Sequence, residues 1–189
     1  DMQRRARRRS GLMIVSLVGY TNAGKSTLFN LLTRSGVHAA DQLFATLDTT
    51  SRKVYMVDAN PIVLSDTVGF IKHLPTTLIE AFGATLEEAA QADLLLHVVD
   101  ISSSNRDAQM AQVNTVLAEI GAFKVPQIVV LNQIDKLDMA PETSRDEYGS
   151  INRISLSAVT GAGLDLLKLA LFEHQQLIKR QSTEESAYA

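Results

Sequence analysis

Gly19-Tyr20-Thr21-Asn22-Ala23-Gly24-Lys25-Ser26 fits the pattern G-x-x-x-x-G-K-[ST], the signature of a loop that cradles phosphate. Its surroundings come in the order that this chemistry needs. Leu12 to Val18, ahead of it, is an apolar strand-like run, and Thr27 to Leu32, behind it, has a helical pattern. Glycines let backbone N–H groups close around an anion, and a helix starting immediately behind points its positive end at the same anion. Lys25 would reach the β- and γ-phosphates, and the Ser26 hydroxyl would ligate Mg²⁺. A chance glycine turn before a helix is the plain alternative. It does not explain why strand, loop and helix arrive together.

The bulk properties limit what else the chain can be. Its 189 residues suit one domain, large enough to bury roughly 70% of the unfolded surface. Hydrophobic residues make up 46% and charged residues 21%, the balance of a globular protein. The net charge of −3 gives the whole molecule no general affinity for polyanions. Without cysteine there is neither a disulfide nor thiol catalysis, which suits a reducing, cytoplasmic setting. No apolar run approaches the roughly 18 residues of a membrane span, and no signal peptide is visible. The isolated domain is expected to be a monomer.

Residues 1–10 hold Arg4, Arg5, Arg7, Arg8 and Arg9. Such a run is usually a solvated arm, and its sharper reading is a patch for RNA. Residues 11–180 alternate strand and helix. Lys25 to Thr33 reads as a helix, and Ser35 to Thr50 is irregular with an apolar knot at Leu43-Phe44. Arg52 to Val57 and Ile62 to Leu64 read as a strand pair with a turn between them. Thr76 to Ala92 is helical, with Leu78, Phe82, Leu86 and Ala89 at helical spacing. Leu94 to Val99 is an apolar run of the kind covered on both faces. Arg106 to Ile120 reads as a helix, Gln127 to Leu131 and Arg153 to Leu156 as strands, and Leu164 to Lys179 as the closing helix. Residues 181–189 are polar and expected to fray as a flexible tail. The alternation implies an α/β fold of the P-loop NTPase type, a mostly parallel sheet with helices on both faces. In such sheets ligands sit at the carboxyl ends of strands.

Several further elements fall at such ends. Asp66-Thr67-Val68-Gly69 follows Ile62 to Leu64, which places Asp66 to hold Mg²⁺ and the Gly69 N–H to meet a γ-phosphate. Asn132-Gln133-Ile134-Asp135 follows Gln127 to Leu131. Asp135 could accept N1–H and the exocyclic amine of guanine, a donor pair that adenine lacks, while Asn132 would bridge to the phosphate loop. Ser157-Ala158 could offer a backbone N–H to the guanine carbonyl. Taken alone, each is an ordinary strand-end turn. A threonine between the first helix and the second strand would complete the Mg²⁺ shell, with Thr46, Thr49 and Thr50 as candidates.

These segments carry a resemblance. Gly19 to Thr27 (GYTNAGKST), Ala40 to Asp48 (ADQLFATLD), Asp66 to Leu74 (DTVGFIKHL) and Ser157 to Gly163 (SAVTGAG) resemble the motifs of the HflX family, in the Era/Obg-like group of translation-factor-related GTPases. The resemblance runs from about Arg4 to the closing helix. It implies hydrolysis of GTP to GDP and phosphate, with Lys25, Thr46 and Gly69 in catalytic roles and Ser26, Thr46 and Asp66 around Mg²⁺. The nucleotide-contacting set it implies also takes in Tyr20, Thr21, Asn22, Ala23, Thr27, Phe44, Ala45, Thr67, Val68, Gln133 and Val159. It implies a further N-terminal domain, with the Arg-rich start as the end of its linker, and the large ribosomal subunit as partner.

The chain departs from the family's pattern twice. Gln133 stands where the family usually has Lys, and Thr49 where it usually has Pro. Phe70 follows Gly69, where Ras-like proteins carry the glutamine that orients the attacking water. Asn22 offers one remedy, since some GTPases of the wider group hold K⁺ with an asparagine here; the alternative is an Asn bonding within its own turn. His73 reads as a surface histidine and His97 as a core one. Two other classes remain open. An ATP-using enzyme is opposed by Asp135 and Ser157-Ala158, whereas a nucleotide-sensing or RNA-binding module without hydrolysis is favoured by Phe70, Gln133 and the Arg cluster.

Overall fold

The computed structural model describes residues 12–33, 50–56, 59–67 and 88–187. Expectations placed on the Arg cluster, Leu43-Phe44, His73 and most of the helix from Thr76 lie outside these residues; within it, 88–91 are helical.

The apolar run before the phosphate loop forms β1 (Met13–Val18). It leads through the loop into α1 (Lys25–Thr33). The strand pair is β2 (Thr50–Val54) and β3 (Ile62–Asp66), joined antiparallel with Thr50 opposite Asp66. Then follow β4 (Leu94–Asp100), α2 (Arg106–Glu119), β5 (Gln127–Asn132), β6 (Glu142–Arg145), β7 (Ile151–Ser155) and α3 (Leu164–Ala187). The seven strands are ordered β2-β3-β1-β4-β5-β7-β6. The inner five run parallel, and only the edge strands β2 and β6 oppose them.

Period-2 alternation sorts the strand side chains into two cores. Met13, Val15 and Leu17, with Leu94, Leu96 and Val98, pack against Leu28 and Phe29 of α1 and Leu167 and Leu171 of α3. Ile14, Val18 and Leu95 face the other way, onto Val113 and Leu117 of α2. Helices therefore cover both faces, which is why the central strands are mostly apolar, with Ser16 in β1 and His97 in β4 buried among them. The chain leaves β1 towards β3 on one side and later returns to β4 on the other. That reversal opens a crevice at the carboxyl end of β1, where Gly19 begins the phosphate loop.

Two elements differ from expectation. The edge strand β6 is polar and exposed along its whole length, so no apolar period marks it in the sequence. Pairing with β7 and the two Arg145–Glu173 hydrogen bonds, both 2.9 Å, hold it in place. α3 does not fray after Lys179 but continues to Ala187. No glycine or proline interrupts 164–187, and its Gln, Glu, Lys and Ala are good helix formers, so polarity alone does not end it.

Candidate nucleotide site

The phosphate loop is shaped by what crosses it. A Cβ on Gly19 would overlap the carbonyl oxygen of Val98, so the loop can lie this close to β4 only as glycine. Gly24 sits at φ +95 with the side-chain nitrogen of Asn132 where its Cβ would be. Lys25, at the start of α1, is 6% exposed. Its Nζ donates to Gly19 O at 3.1 Å and Tyr20 O at 3.0 Å. Burial lowers its pKa to about 8, and the charge of Asp66 partly opposes the shift. Tyr20, Thr21, Asn22 and Ala23 lie in the loop before this lysine, and Thr27 in the first helical turn after it.

The end of β3 meets this loop. Ser26 Oγ donates to Asp66 Oδ2 at 2.7 Å. Thr67 turns its hydroxyl onto Leu17 O at 2.6 Å, pinning the end of β3 to β1. Sequence reasoning missed that tie, although a buried threonine directly behind a strand has few other acceptors.

The base-side loops close the group. Asn132 Nδ2 donates to Ala23 O, and Asn132 Oδ1 accepts from the Ala158 N–H, both at 2.9 Å. Gln133 Nε2 donates to Asn22 O at 3.0 Å. Ser157 Oγ donates to Asp135 Oδ1 at 2.6 Å, which fixes the exposed carboxylate. This hydroxyl is a second residue that sequence reasoning missed, having weighed only the backbone there. That backbone also differs from expectation. The Ser157 N–H donates to Ala162 O, and Asn132 holds the Ala158 N–H, so neither points freely at a base carbonyl. Val159 beside them is 75% exposed.

Thr46, Phe44, Ala45, Val68 and Gly69 lie outside the described residues, as do Thr49 and Phe70. His97 lies in β4 and is fully buried. Burial, helped by the charge of Lys25, lowers its pKa to about 4, so the imidazole is neutral near pH 7.

Fold and site together define the class, an α/β P-loop NTPase whose motifs meet at the carboxyl ends of β1, β3, β5 and β7. Residues 14–133 match the family model described as 50S ribosome-binding GTPase. A GTPase HflX of Escherichia coli is 53% identical over 92% of this chain and 41% of its own length. The GTPase HflX of Caldanaerobacter subterraneus is 43% identical over 94% and 41%. A GTP-binding protein of Sulfolobus solfataricus, solved with GDP, superposes with a TM-score of 0.66. It is 27% identical, over 94% of this chain and 56% of that one. The chain belongs to the 50S ribosome-binding GTPases and, within them, to the HflX family. It spans about two fifths of the length of these curated relatives. GTPases of this kind use Mg²⁺ with the nucleotide, and the Ser26 hydroxyl beside the Asp66 carboxylate is an oxygen pair that fits such a cation. Among the described residues, no helix is long and apolar enough to cross a membrane.

Proposed function

We propose that this chain is the GTP-binding and GTP-hydrolysing domain of a ribosome-associated protein that acts on the large ribosomal subunit. The observation that carries the reading is Asp135, held by Ser157 beside an Asn132 that grips the phosphate loop. Base recognition and phosphate binding are thereby built as one unit. Asp135 accepts the two N–H groups of guanine, which weighs against ATP. Lys25 leaves Gly19 O and Tyr20 O for the β- and γ-phosphates, whose charge outweighs two neutral carbonyls. Backbone N–H groups of 19–27 add to this on the phosphoryl oxygens. Ser26, Asp66 and Thr46 would hold Mg²⁺, which neutralises phosphate charge when bound with the nucleotide. The Gly69 N–H would bind the γ-phosphate, and Phe44, Ala45, Thr67, Val68 and Val159 would contact the nucleotide. Phe70 cannot orient the attacking water; the Asn22 side chain would help hold K⁺, which would neutralise charge developing between the phosphates. The domain works as a monomer in the cytoplasm.

GTP turnover with and without large ribosomal subunits, in KCl and in NaCl at equal ionic strength, tests this. Alone the domain should turn over on the order of 10⁻⁴ s⁻¹, faster in KCl than in NaCl, and faster again with subunits. Equal rates in both salts would remove potassium. Binding of GTP without turnover under every condition would favour a nucleotide-sensing module instead.

A further inference from the structure

The two edges of the sheet carry different charge. β6 has Glu142 and Arg145, and Arg145 is held by Glu173 of α3. β2 has Arg52 and Lys53, both exposed. Among the described residues neither has an acidic partner. The Arg52 guanidinium donates to Ser51 O of its own strand at 3.2 Å, which leaves most of its donors for a ligand. The chain as a whole is negative, at −3, so this pair of cations is a local feature. Val54 is buried in the core, so Arg52 shares its face of the strand and Lys53 takes the other. As the outer strand, β2 also turns every second backbone N–H away from β3. Cations on an edge strand can serve merely to prevent edge-to-edge pairing. Tyr55, directly behind the strand and 78% exposed, does not fit that role. A bare aromatic ring beside an open edge invites association. Cations, outward N–H groups and an aromatic ring are together the parts of a surface for RNA. The first two meet phosphates, and the ring stacks on an unpaired base. The strand is also fixed at both ends. Thr50 pairs opposite Asp66, and Gln175 clasps Asn60 in the turn beyond, so little ordering is left to be done on binding.

We propose that β2 is an RNA-binding edge, with Arg52 and Lys53 on phosphates and Tyr55 stacked on a base. The proposal rests on the ribosomal part of the proposed function, to which it adds a surface and the chemistry of the contact. β3 joins this edge to the phosphate loop, because Asp66, opposite Thr50, accepts from Ser26.

Binding of purified large ribosomal subunits to the chain loaded with a non-hydrolysable GTP analogue, over a range of salt, tests it. The proteins are the wild type, Arg52→Gln, Lys53→Gln, Tyr55→Ala and Tyr55→Phe. Each glutamine should weaken binding and lower the slope of log affinity against log salt by about one, for one lost phosphate contact. Tyr55→Ala should weaken binding roughly fivefold or more and leave the slope alone. Tyr55→Phe should bind like the wild type, because stacking needs the ring and not the hydroxyl. All four variants should keep wild-type affinity for GDP, since these side chains are exposed and outside the nucleotide site. Wild-type affinity for subunits in both glutamine variants and in Tyr55→Ala would overturn the proposal. So would weaker binding of the glutamine variants with an unchanged salt slope, which would point to a ribosomal protein on this edge. A wild type that binds no subunits would overturn the ribosomal reading, and the proposal with it.

Discussion

Lys25 is buried on two carbonyls, with a pKa of about 8 against an ordinary 10.5. Phosphates favour the ammonium far more than carbonyls do, so they raise its pKa, and binding takes up a proton wherever the empty site has lost one. The empty site holds fewer protons than the filled one above pH 8, so affinity must fall as pH rises through that value. We expect GDP to bind about fourfold more weakly at pH 8.5 than at pH 7, the change in protonated fraction for a single group titrating near 8. A fluorescent GDP titration at both values checks this, and a flat profile would show that Lys25 stays fully protonated in the empty site. Lys25 and Ser26 were legible from the phosphate-loop pattern, and Asp66, Asn132 and Asp135 as residue types at strand ends. The hydroxyls of Ser157 and Thr67 were not, because their partners, Asp135 and Leu17, lie 22 and 50 residues away.

At the scale of elements, the β2–β3 hairpin is fastened far from the site. Gln175 of α3 is 2% exposed and lies in the apolar stripe of Leu167, Leu171 and Ile178. Its Oε1 accepts from the Asn60 N–H at 3.1 Å, and its Nε2 donates to Asn60 O at 3.0 Å. One side chain thus serves both backbone groups beside the hairpin turn, as a neighbouring strand would. Gln175→Leu keeps the volume but removes both hydrogen bonds to the Asn60 backbone, so it should cost about 2–3 kcal/mol of stability, read by chemical denaturation. Gln175→Glu keeps only the acceptor and turns a buried carboxylate onto Asn60 O, so near neutral pH it should cost at least as much as leucine. A leucine variant as stable as the wild type would show that water replaces the clasp. A glutamine in a helical apolar stripe is visible in sequence, but its partner across 115 residues is not. β6 was invisible for a different reason, since an exposed edge strand carries no apolar period.

For the whole molecule, alternating apolar runs predicted a parallel sheet covered on both faces, and the two cores follow from period 2 in β1 and β4. The order of strands was not readable, because loops alone do not say whether β4 returns beside β1 or beside β3. That order makes the crevice, and the crevice brings segments more than 100 residues apart into one site. The proposed function turns on Asp135 reading guanine at this site. Competition of GTP, ATP and xanthosine triphosphate against a fluorescent GDP analogue, on wild type and Asp135→Asn, tests it most directly. The wild type should prefer GTP to both rivals. Asp135→Asn, which gains a donor where guanine also donates, should lose GTP and bind xanthosine triphosphate better. A wild type that binds ATP as well as GTP, or a variant that keeps its preference for GTP, would contradict the account.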